Sequence, residues 1–362
     1  ALSYNRIPIG ANDYAESWYS HDEIGLSDND LREDFRMEQF SIHRDHRNLI
    51  PFLKAAVSIR GGSMSLFASP WSPPTWMKFP AAHNYGRLIW EPAYRKAYAL
   101  YFVKFLRAYE ELGLPIEAVH VQNEPDSDQK FPSCMWTGER LRDFIRDDLA
   151  PAFRDAALNT QIWLGTIERG SFNDWIAPTL YDAQARAQIT GLGFQWAGKH
   201  AVQRTRKAAP ELAIIQTENE CGDGENTWEH AHYVFDLMQH YLANGASAYV
   251  YWNMVLETGG RSTWGWSQNS LFCVDPLSGR VTTNPEYWLM RHVAGSVRPG
   301  AQVVAVEGRW AANALAFRNA DGREVIVVQN PLLESQKIVA QLTGIVANVT
   351  LPPRSFVTIS TT

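Results

Sequence analysis

The sequence predicts an α/β fold: a (β/α)8-type TIM barrel followed by a small C-terminal β-sandwich module. Up to about residue 295, short apolar runs alternate with longer helical patterns, as in parallel sheets whose strands are joined by helices. Beyond that point only short strand patterns follow, with the hairpin signal Asp321-Gly322 between two of them. A chain of 362 residues fits one such barrel plus a small module. The predicted domains are residues 1–295 and residues 296–362.

The predicted strands and helices can be placed along the chain by their residue patterns. Seven apolar runs are expected to be the parallel strands of the barrel: residues 6–10, 64–69, 116–122, 162–167, 189–194, 212–217 and 248–252. An apolar stripe over residues 94–112 predicts an amphipathic helix. Thr137 and Thr227 each precede a further helical pattern and are expected to be N-caps. In the C-terminal module, strands are predicted at residues 303–306, 314–317, 325–328, 345–351 and 356–359.

Composition and charge argue against several classes of protein. The formal net charge of −6 disfavours a nucleic-acid-binding protein, which would usually be basic. No apolar run reaches 18 residues, so no transmembrane helix is predicted. Three cysteines are too few for a disulfide framework. The sequence has no phosphate-binding loop and no metal-ligand pattern among its ten histidines, so no cofactor and no metal are expected. Nothing in the sequence indicates a cellular compartment.

The predicted strand ends carry the residues that suggest chemistry, because catalytic side chains of parallel α/β barrels gather there. These residues are Asp13 after the first run, Trp71 after the second, Asn123 and Glu124 after the third, Glu218 and Glu220 after the sixth, and Trp252 in the seventh. Glu124 and Glu218 are a pair of carboxylates suited to glycoside hydrolysis. Tryptophan, which occurs 14 times, stacks on sugar faces, and amides and carboxylates bind sugar hydroxyls.

Two motifs give the chain a resemblance to a known family. Asn123-Glu124-Pro125 after a strand resembles the acid/base motif of retaining glycosidases with (β/α)8 barrels. The longer motif Ser69-Pro-Trp-Ser-Pro-Pro-Thr-Trp-Met-Lys78 resembles glycoside hydrolase family 30, which holds glucosylceramidases, glucuronoxylanases and β-1,6-glucanases. Residues 138–149 and the terminal β module are similar to that family too. The resemblance therefore extends from about residue 4 to residue 361.

The resemblance implies a role for each residue that matches the family's pattern. Glu124 would be the general acid/base, Asn123 a ligand of the sugar 2-hydroxyl, and Glu218 the nucleophile. Arg6 would lie beneath the nucleophile and hold it ionised, because an opposite charge lowers the pKa of a carboxyl group. The residues expected to line the sugar subsite are Asp13, Trp71 and Trp252, with Trp196 and His200 as further candidates at its rim.

The segment Thr217-Glu-Asn-Glu-Cys221 offers two glutamates for the role of nucleophile. Alignment on the predicted strand favours Glu218, whereas alignment on Cys221 leaves Glu220 open. Both glutamates would lie on the same side of a continued strand, so strand alternation does not choose between them.

The beginning of the chain departs from the family pattern, in which one barrel strand and further N-terminal strands precede the run at residue 6. Seven barrel strands are therefore expected here rather than eight. Either the chain is a shortened form, or the barrel closes differently. Self-association that covers the open barrel edge is one such possibility, since an open sheet edge leaves backbone groups unpaired.

The sequence as a whole predicts a retaining β-glycosidase that acts on a β-linked glucoside or oligosaccharide. In such an enzyme the two catalytic carboxyl groups lie about 5–5.5 Å apart. Alternatives on the same scaffold are activity on β-xylosides, on β-1,6-glucan or on a glucosylated lipid. Two further alternatives are a carbohydrate-binding barrel without activity and a metal-dependent barrel enzyme.

Overall fold

The computed structural model describes residues 2–23, 33–62 and 64–361, and the chain divides into two compact units. Residues 4–218 form the first unit. Residues 219–361 form the second unit together with residues 2 and 3. Glu124 and Glu218 both belong to the first unit, whereas Glu220 and Trp252 belong to the second.

A six-stranded parallel sheet runs through the first unit. The strands of this unit are β1 (Tyr4–Ile9), β2 (Ser65–Pro70), β3 (Lys78–Phe79), β4 (Arg87–Leu88), β5 (Ala118–His120), β6 (Gln161–Ile167), β7 (Gly191–Gln195) and β8 (Ala213–Glu218). The order across the sheet is β1-β2-β5-β6-β7-β8, and all five pairings are parallel. β3 and β4 pair separately as a short antiparallel ribbon. Because parallel neighbours share one direction, the carboxyl ends of the six strands meet at one edge of the sheet.

Helices connect the strands of the first unit. They are α1 (Leu49–Arg60), α2 (Pro92–Glu111), α3 (Gly138–Phe144), α4 (Ala150–Asp155), α5 (Phe172–Trp175), α6 (Ala177–Leu180), α7 (Ala183–Arg186) and α8 (Val202–Ala208). The helix predicted over residues 94–112 is confirmed as α2. Thr137 is confirmed as the N-cap of α3, since its side chain accepts a hydrogen bond from the backbone N–H of Arg140.

Two glycines of β7 make room for large side chains inside the first unit. A Cβ atom on Gly193 would lie 2.4 Å from Cε1 of the fully buried His120, and one on Gly191 would lie 2.5 Å from Cζ3 of Trp163. Both distances are far below a van der Waals contact, so any side chain would displace these rings. The Gly-Leu-Gly sequence of β7 is thus a packing feature of the sheet.

The first six predicted barrel strands are confirmed as β1, β2, β5, β6, β7 and β8, but the seventh is wrong. Residues 248–252 contain a single bridge residue and no regular strand. At the end of this stretch, the backbone N–H of Trp252 donates to the side-chain Oδ1 of Asn219 at 2.5 Å. A side-chain acceptor thus takes a backbone donor that a regular strand would use in its ladder.

The second unit combines two longer helices with strands that pair antiparallel, except that β9 and β10 pair in parallel. Its helices are α9 (Trp228–Ala243) and α10 (Pro285–Ser296). Its strands are β9 (Val255–Glu257), β10 (Phe272–Val274), β11 (Val281–Thr283), β12 (Gln302–Val304), β13 (Ala314–Arg318), β14 (Glu324–Asn330), β15 (Gln336–Leu342), β16 (Ile345–Leu351) and β17 (Ser355–Ser360). Strands β12-β13-β14-β17 form one sheet and β15-β16 a hairpin. A buried cluster packs both helices against the sheet, with Phe235, Leu289, Phe317, Val327 and Phe356 among its members.

Most sequence predictions for the second unit hold. Thr227 caps α9 by accepting a hydrogen bond from the backbone N–H of His230. Asp321-Gly322 lies in the turn of the β13–β14 hairpin, and Gly322 has a φ of +86°, which glycine adopts without strain. All five predicted strands are present, but α10 and the strands β9, β10, β11 and β15 were not predicted. In the described part of the chain, no helix is long and apolar enough to cross a membrane.

Candidate active site

Arg6 of β1 is the centre of a buried hydrogen-bond network in the first unit. Its side chain is only 3% exposed. The guanidinium donates to Ser69 Oγ from Nε (3.0 Å) and Nη2 (2.7 Å), and to Asn123 Oδ1 (2.7 Å), Gln195 Oε1 (3.1 Å) and Glu218 Oε2 (2.9 Å). These four partners lie at or just beyond the ends of β2, β5, β7 and β8. A single cation therefore ties together the carboxyl ends of four strands.

Glu218 is the last residue of β8, and each of its carboxylate oxygens has a donor. Oε2 accepts from Arg6 Nη1 at 2.9 Å, and Oε1 accepts from the indole Nε1 of Trp196 at 3.1 Å. Trp196 has a φ of +47°, an unusual conformation for a bulky residue that the surrounding structure must hold in place. The two donors fix the orientation of the carboxylate, whose side chain is 8% exposed.

Glu124 follows β5 and also has a backbone in the left-handed region, with a φ of +46°. Its backbone N–H donates to the carbonyl oxygen of Thr166 at 3.2 Å, and its Oε1 accepts from Gln195 Nε2 at 3.1 Å. Gln195 thus links the two glutamates: its amide nitrogen contacts Glu124, and its amide oxygen accepts from the Arg6 nitrogen that also contacts Glu218. The two carboxyl groups share one hydrogen-bond network.

Asn123 is held by its side-chain oxygen. Oδ1 accepts from Arg6 Nη2 (2.7 Å), Gln195 Nε2 (3.3 Å) and Thr166 Oγ1 (3.3 Å). These donors leave the oxygen no capacity for a further partner, and within the described residues no acceptor engages the NH2 group. The amide of Asn123 can therefore offer two N–H donors to a ligand.

Burial dominates the electrostatics of this site. It raises the pKa of Glu218 to about 8, the charge of Arg6 acts in the opposite direction, and the charges of Glu124 and Asp13 raise it further. Burial also raises the pKa of Glu124, against the hydrogen bond from Gln195 and the charge of Arg6. The charge of Arg6 lowers the pKa of Glu218 as expected, but desolvation outweighs the ion pair, so the net shift of this pKa is upward. Near neutral pH the two carboxyl groups consequently retain a proton between them.

The structure assigns the predicted tryptophans to different environments. Trp196 contacts Glu218 directly and so lies nearer to this carboxyl group than the rim position expected for it. Trp71 is 2% exposed, and the guanidinium carbon of Arg6 lies 4.5 Å from its ring centroid, so its contact with sugar stays a prediction. Trp252 lies in the second unit, where its Nε1 donates to Gln268 Oε1 at 2.7 Å, and its place in the subsite also stays a prediction.

The remaining predicted residues differ in how closely they approach this network. Asp13 is buried, and its charge acts on both Arg6 and Glu218. Glu220 belongs to the second unit, where its Oε2 accepts from the hydroxyl of Tyr233 at 2.7 Å. His200 is exposed.

Several residues of the network were not predicted: Ser69, Thr166, Gln195, Thr217 and Glu168. Gln195 was missed because the predicted strand stopped one residue short, at Phe194. Glu168 directly follows β6, so a search for polar residues at all strand ends would have found it.

Among the described residues, no cluster of His, Cys, Asp and Glu side chains could hold a metal ion.

Comparison with known proteins shows the family of the chain. The model of the glycosyl hydrolase family 30 TIM-barrel domain matches residues 1–294, and that of the family 30 β-sandwich domain matches residues 300–359. Putative glucosylceramidase 2 of Caenorhabditis elegans is 27% identical, over 91% of this chain and 67% of its own length. Lysosomal acid glucosylceramidase of Mus musculus is 26% identical (91% and 68%), and endo-1,6-β-D-glucanase of Neurospora crassa is 25% identical (90% and 70%).

Solved structures show the same fold. SrfJ from Salmonella typhimurium superimposes with a TM-score of 0.86 at 24% identity, over 99% of this chain and 80% of that one. The endo-β1,6-glucanase BT3312 gives a TM-score of 0.83 at 24% identity, over 99% and 81%. The architecture is thus a TIM-barrel domain with a β-sandwich domain. The chain belongs to glycosyl hydrolase family 30 and is a glycoside hydrolase.

Proposed function

We propose that this glycoside hydrolase is a retaining β-glycosidase that hydrolyses β-glucosides by double displacement, with Glu218 as nucleophile and Glu124 as general acid/base. The observation that carries the proposal is the shared network of the two carboxyl groups, in which Arg6 contacts Glu218 and Gln195 contacts Glu124. A retaining mechanism needs two carboxyl groups near each other in different protonation states.

The donors around each carboxyl group support this division of roles. Glu218 accepts from a guanidinium and from an indole N–H, and a charged donor strongly favours the ionised form of an acceptor. Glu124 accepts from the neutral amide of Gln195 and lacks a direct contact with the guanidinium. The guanidinium thus supports Glu218 as the ionised partner, although burial raises its pKa to about 8. We assign the transferable proton to Glu124, which is the state that an acid catalyst needs.

In the first step, the carboxylate of Glu218 attacks the anomeric carbon, and the bond from that carbon to the leaving oxygen breaks. Glu124 transfers its proton to the leaving oxygen. In the second step, Glu124 accepts a proton from water, the water oxygen bonds to the anomeric carbon, and the ester to Glu218 breaks. Two inversions give net retention of configuration.

Three further side chains fit the binding of a sugar beside these carboxyl groups. The NH2 group of Asn123 is the available donor for a hydroxyl next to the anomeric carbon. Asp13, whose charge already acts on Arg6 and Glu218, would accept from hydroxyls farther along the ring. The indole of Trp196 provides an apolar face next to Glu218.

The choice of glucose as the sugar is supported by the relatives. The mouse and nematode proteins are named glucosylceramidases, and the Neurospora crassa protein is named an endo-1,6-β-D-glucanase. These names share a glucosyl unit and differ in the group to which that unit is linked. We therefore propose a β-glucosyl group at the subsite that holds the reacting sugar and leave the aglycone open to experiment.

The decisive test is labelling with 2,4-dinitrophenyl 2-deoxy-2-fluoro-β-D-glucoside, followed by peptide mapping, with the fluoro-xyloside in parallel. We expect a stoichiometric burst of dinitrophenol and a sugar ester on Glu218. Label on Glu220 would transfer the nucleophile role. Faster labelling by the xyloside would overturn the sugar assignment. Turnover of aryl glucosides with inversion, detected by NMR of the first-formed anomer, would overturn the retaining mechanism.

A further inference from the structure

We propose that Glu168 is a positioning residue for Glu124: it fixes the turn that carries Glu124 and extends the pH range over which Glu124 keeps its proton. This inference rests on the acid/base role proposed for Glu124. No contact of Glu168 with the sugar is required, so its effect would be exerted through the turn and through its charge.

The geometry connects Glu168 to the turn directly. Glu168 follows the last residue of β6, and the residue is 4% exposed. Its Oε1 accepts from the backbone N–H of Asp126 at 3.0 Å and from Ser127 Oγ at 3.2 Å. Ser127 in turn donates its backbone N–H to the carbonyl oxygen of Glu124 at 3.0 Å. Glu168 thus stabilises the strained turn in which Glu124 has a φ of +46°.

The second carboxyl oxygen of Glu168 is buried and has no hydrogen-bond partner within the described residues. The charged groups around the carboxyl are Glu124, Asp126 and Arg169. Arg169 is half-exposed, its Nε lies 3.6 Å from Glu168 Oε1, and it makes a shorter contact of 3.1 Å with Asp126. A buried carboxylate with so little compensation is costly, so the neutral form is favoured at neutral pH.

Burial raises the pKa of Glu168 to about 8, and the charge of Glu124 raises it further, against Arg169. The interaction is mutual, because two like charges each disfavour the other. Over the pH range in which both carboxyls titrate, the ionised fraction of Glu168 therefore raises the pKa of Glu124. Glu124 then keeps its proton to higher pH than it would beside a permanently neutral neighbour.

The matched variant is Glu168→Gln, which keeps the side-chain size and an acceptor oxygen but cannot ionise. The probe is phenyl β-D-glucoside, whose poor leaving group needs an acid, compared with 2,4-dinitrophenyl β-D-glucoside, whose leaving group does not. For the phenyl substrate we expect the alkaline limb of the kcat/KM profile to shift to lower pH by about 0.5 to 1 pH unit. At pH 6, where Glu168 is protonated in the wild type, kcat should stay within about twofold.

Ser127→Ala tests the positioning part, because it removes one of the two donors to Glu168 from the turn. It also removes the side-chain hydrogen bond from Ser127 that lowers the pKa of Glu124, so its losses are compared with those of Glu168→Gln, which keeps that bond. We expect kcat for the phenyl substrate to fall about tenfold at every pH, with a smaller loss for the dinitrophenyl substrate. Glu286→Gln is the control: Glu286 is a fully buried carboxyl of the second unit with one partnered and one unpartnered oxygen. Its pH profile should match the wild type.

A Glu168→Gln profile that superimposes on the wild type would overturn the electrostatic role, and equal losses on both substrates in Ser127→Ala would overturn the positioning role. Either failure is distinguishable from a failure of the proposed function. If Glu124 were not the acid/base, Glu124→Gln would hydrolyse the phenyl substrate at the wild-type rate, whatever the result at Glu168.

Discussion

Arg6 Nη1 lies 2.9 Å from Glu218 Oε2, and the side chains of both residues are more than nine-tenths buried. The pair is therefore shielded from solvent, where removal of either partner leaves an uncompensated charge. The same guanidinium also contacts Ser69, Asn123 and Gln195. The position of Glu218 thus depends on the planar guanidinium group of Arg6, whose set of N–H donors no other side chain can reproduce.

Arg6→Lys should consequently impair catalysis although it keeps the positive charge. A lysine ammonium cannot reach all four partners, so Glu218 would lose its orientation and part of its opposing charge. We expect kcat to fall about 10²-fold, and the acid limb of the pH profile to move upward, because Glu218 would ionise at higher pH. Arg47→Lys, in an exposed pair with Glu16, is the control and should leave both quantities unchanged. Wild-type kinetics in Arg6→Lys would contradict the assignment.

The two glutamates after β8 should differ sharply when each is replaced by glutamine. Glu218→Gln removes the proposed nucleophile, and we expect kcat for 2,4-dinitrophenyl β-D-glucoside to fall by about 10⁴-fold or more. Glu220→Gln alters a carboxyl that accepts from Tyr233, and we expect a change of no more than a few-fold. Steady-state rates of both purified variants, with circular dichroism to verify folding, make the comparison. The reverse order of losses would move the nucleophile to Glu220.

Loss of the acid/base should depend on the leaving group. In Glu124→Ala, we expect kcat/KM for phenyl β-D-glucoside to fall about 10²- to 10⁴-fold, whereas 2,4-dinitrophenyl β-D-glucoside should lose much less. Its second step would still be slow, because no base activates water. Added azide, which needs no base, should restore turnover and yield a β-glucosyl azide. An α-azide, or equal losses for both substrates, would be inconsistent with the role of Glu124.

The sequence placed the two glutamates correctly at strand ends because apolar strand patterns are local. The partners of these glutamates are not local: Arg6 and Gln195 are 189 residues apart and meet only through the order and register of the parallel strands. The direction of the net pKa shift of Glu218 could not be predicted from the sequence either. It depends on how far the effect of burial exceeds the effect of one ion pair. At residues 248–252 a strand was predicted from the local pattern, which does not show that the N–H of Trp252 donates to a side chain 33 residues away.

Glu286 of α10 offers a pH-dependent stability test that is independent of catalysis. Its carboxyl is fully buried, Oε1 accepts from Asn269 Nδ2 at 2.7 Å, and burial raises its pKa to about 7. The folded state therefore binds more protons than the unfolded state between pH 4.5, the ordinary value, and pH 7. Over that interval the carboxyl lowers the free energy of unfolding as the pH rises.

Glu286→Gln should remove this dependence, because the amide stays neutral and keeps an acceptor for Asn269. We expect the free energy of unfolding of the variant, relative to the wild type, to increase from pH 5 to pH 8 by on the order of 1–3 kcal/mol. Urea denaturation at several pH values, followed by tryptophan fluorescence, measures the difference. An offset that is the same at pH 5 and pH 8 would show that Glu286 ionises alike in the folded and unfolded chains. It would then have to reach solvent or a cation when the protein is folded.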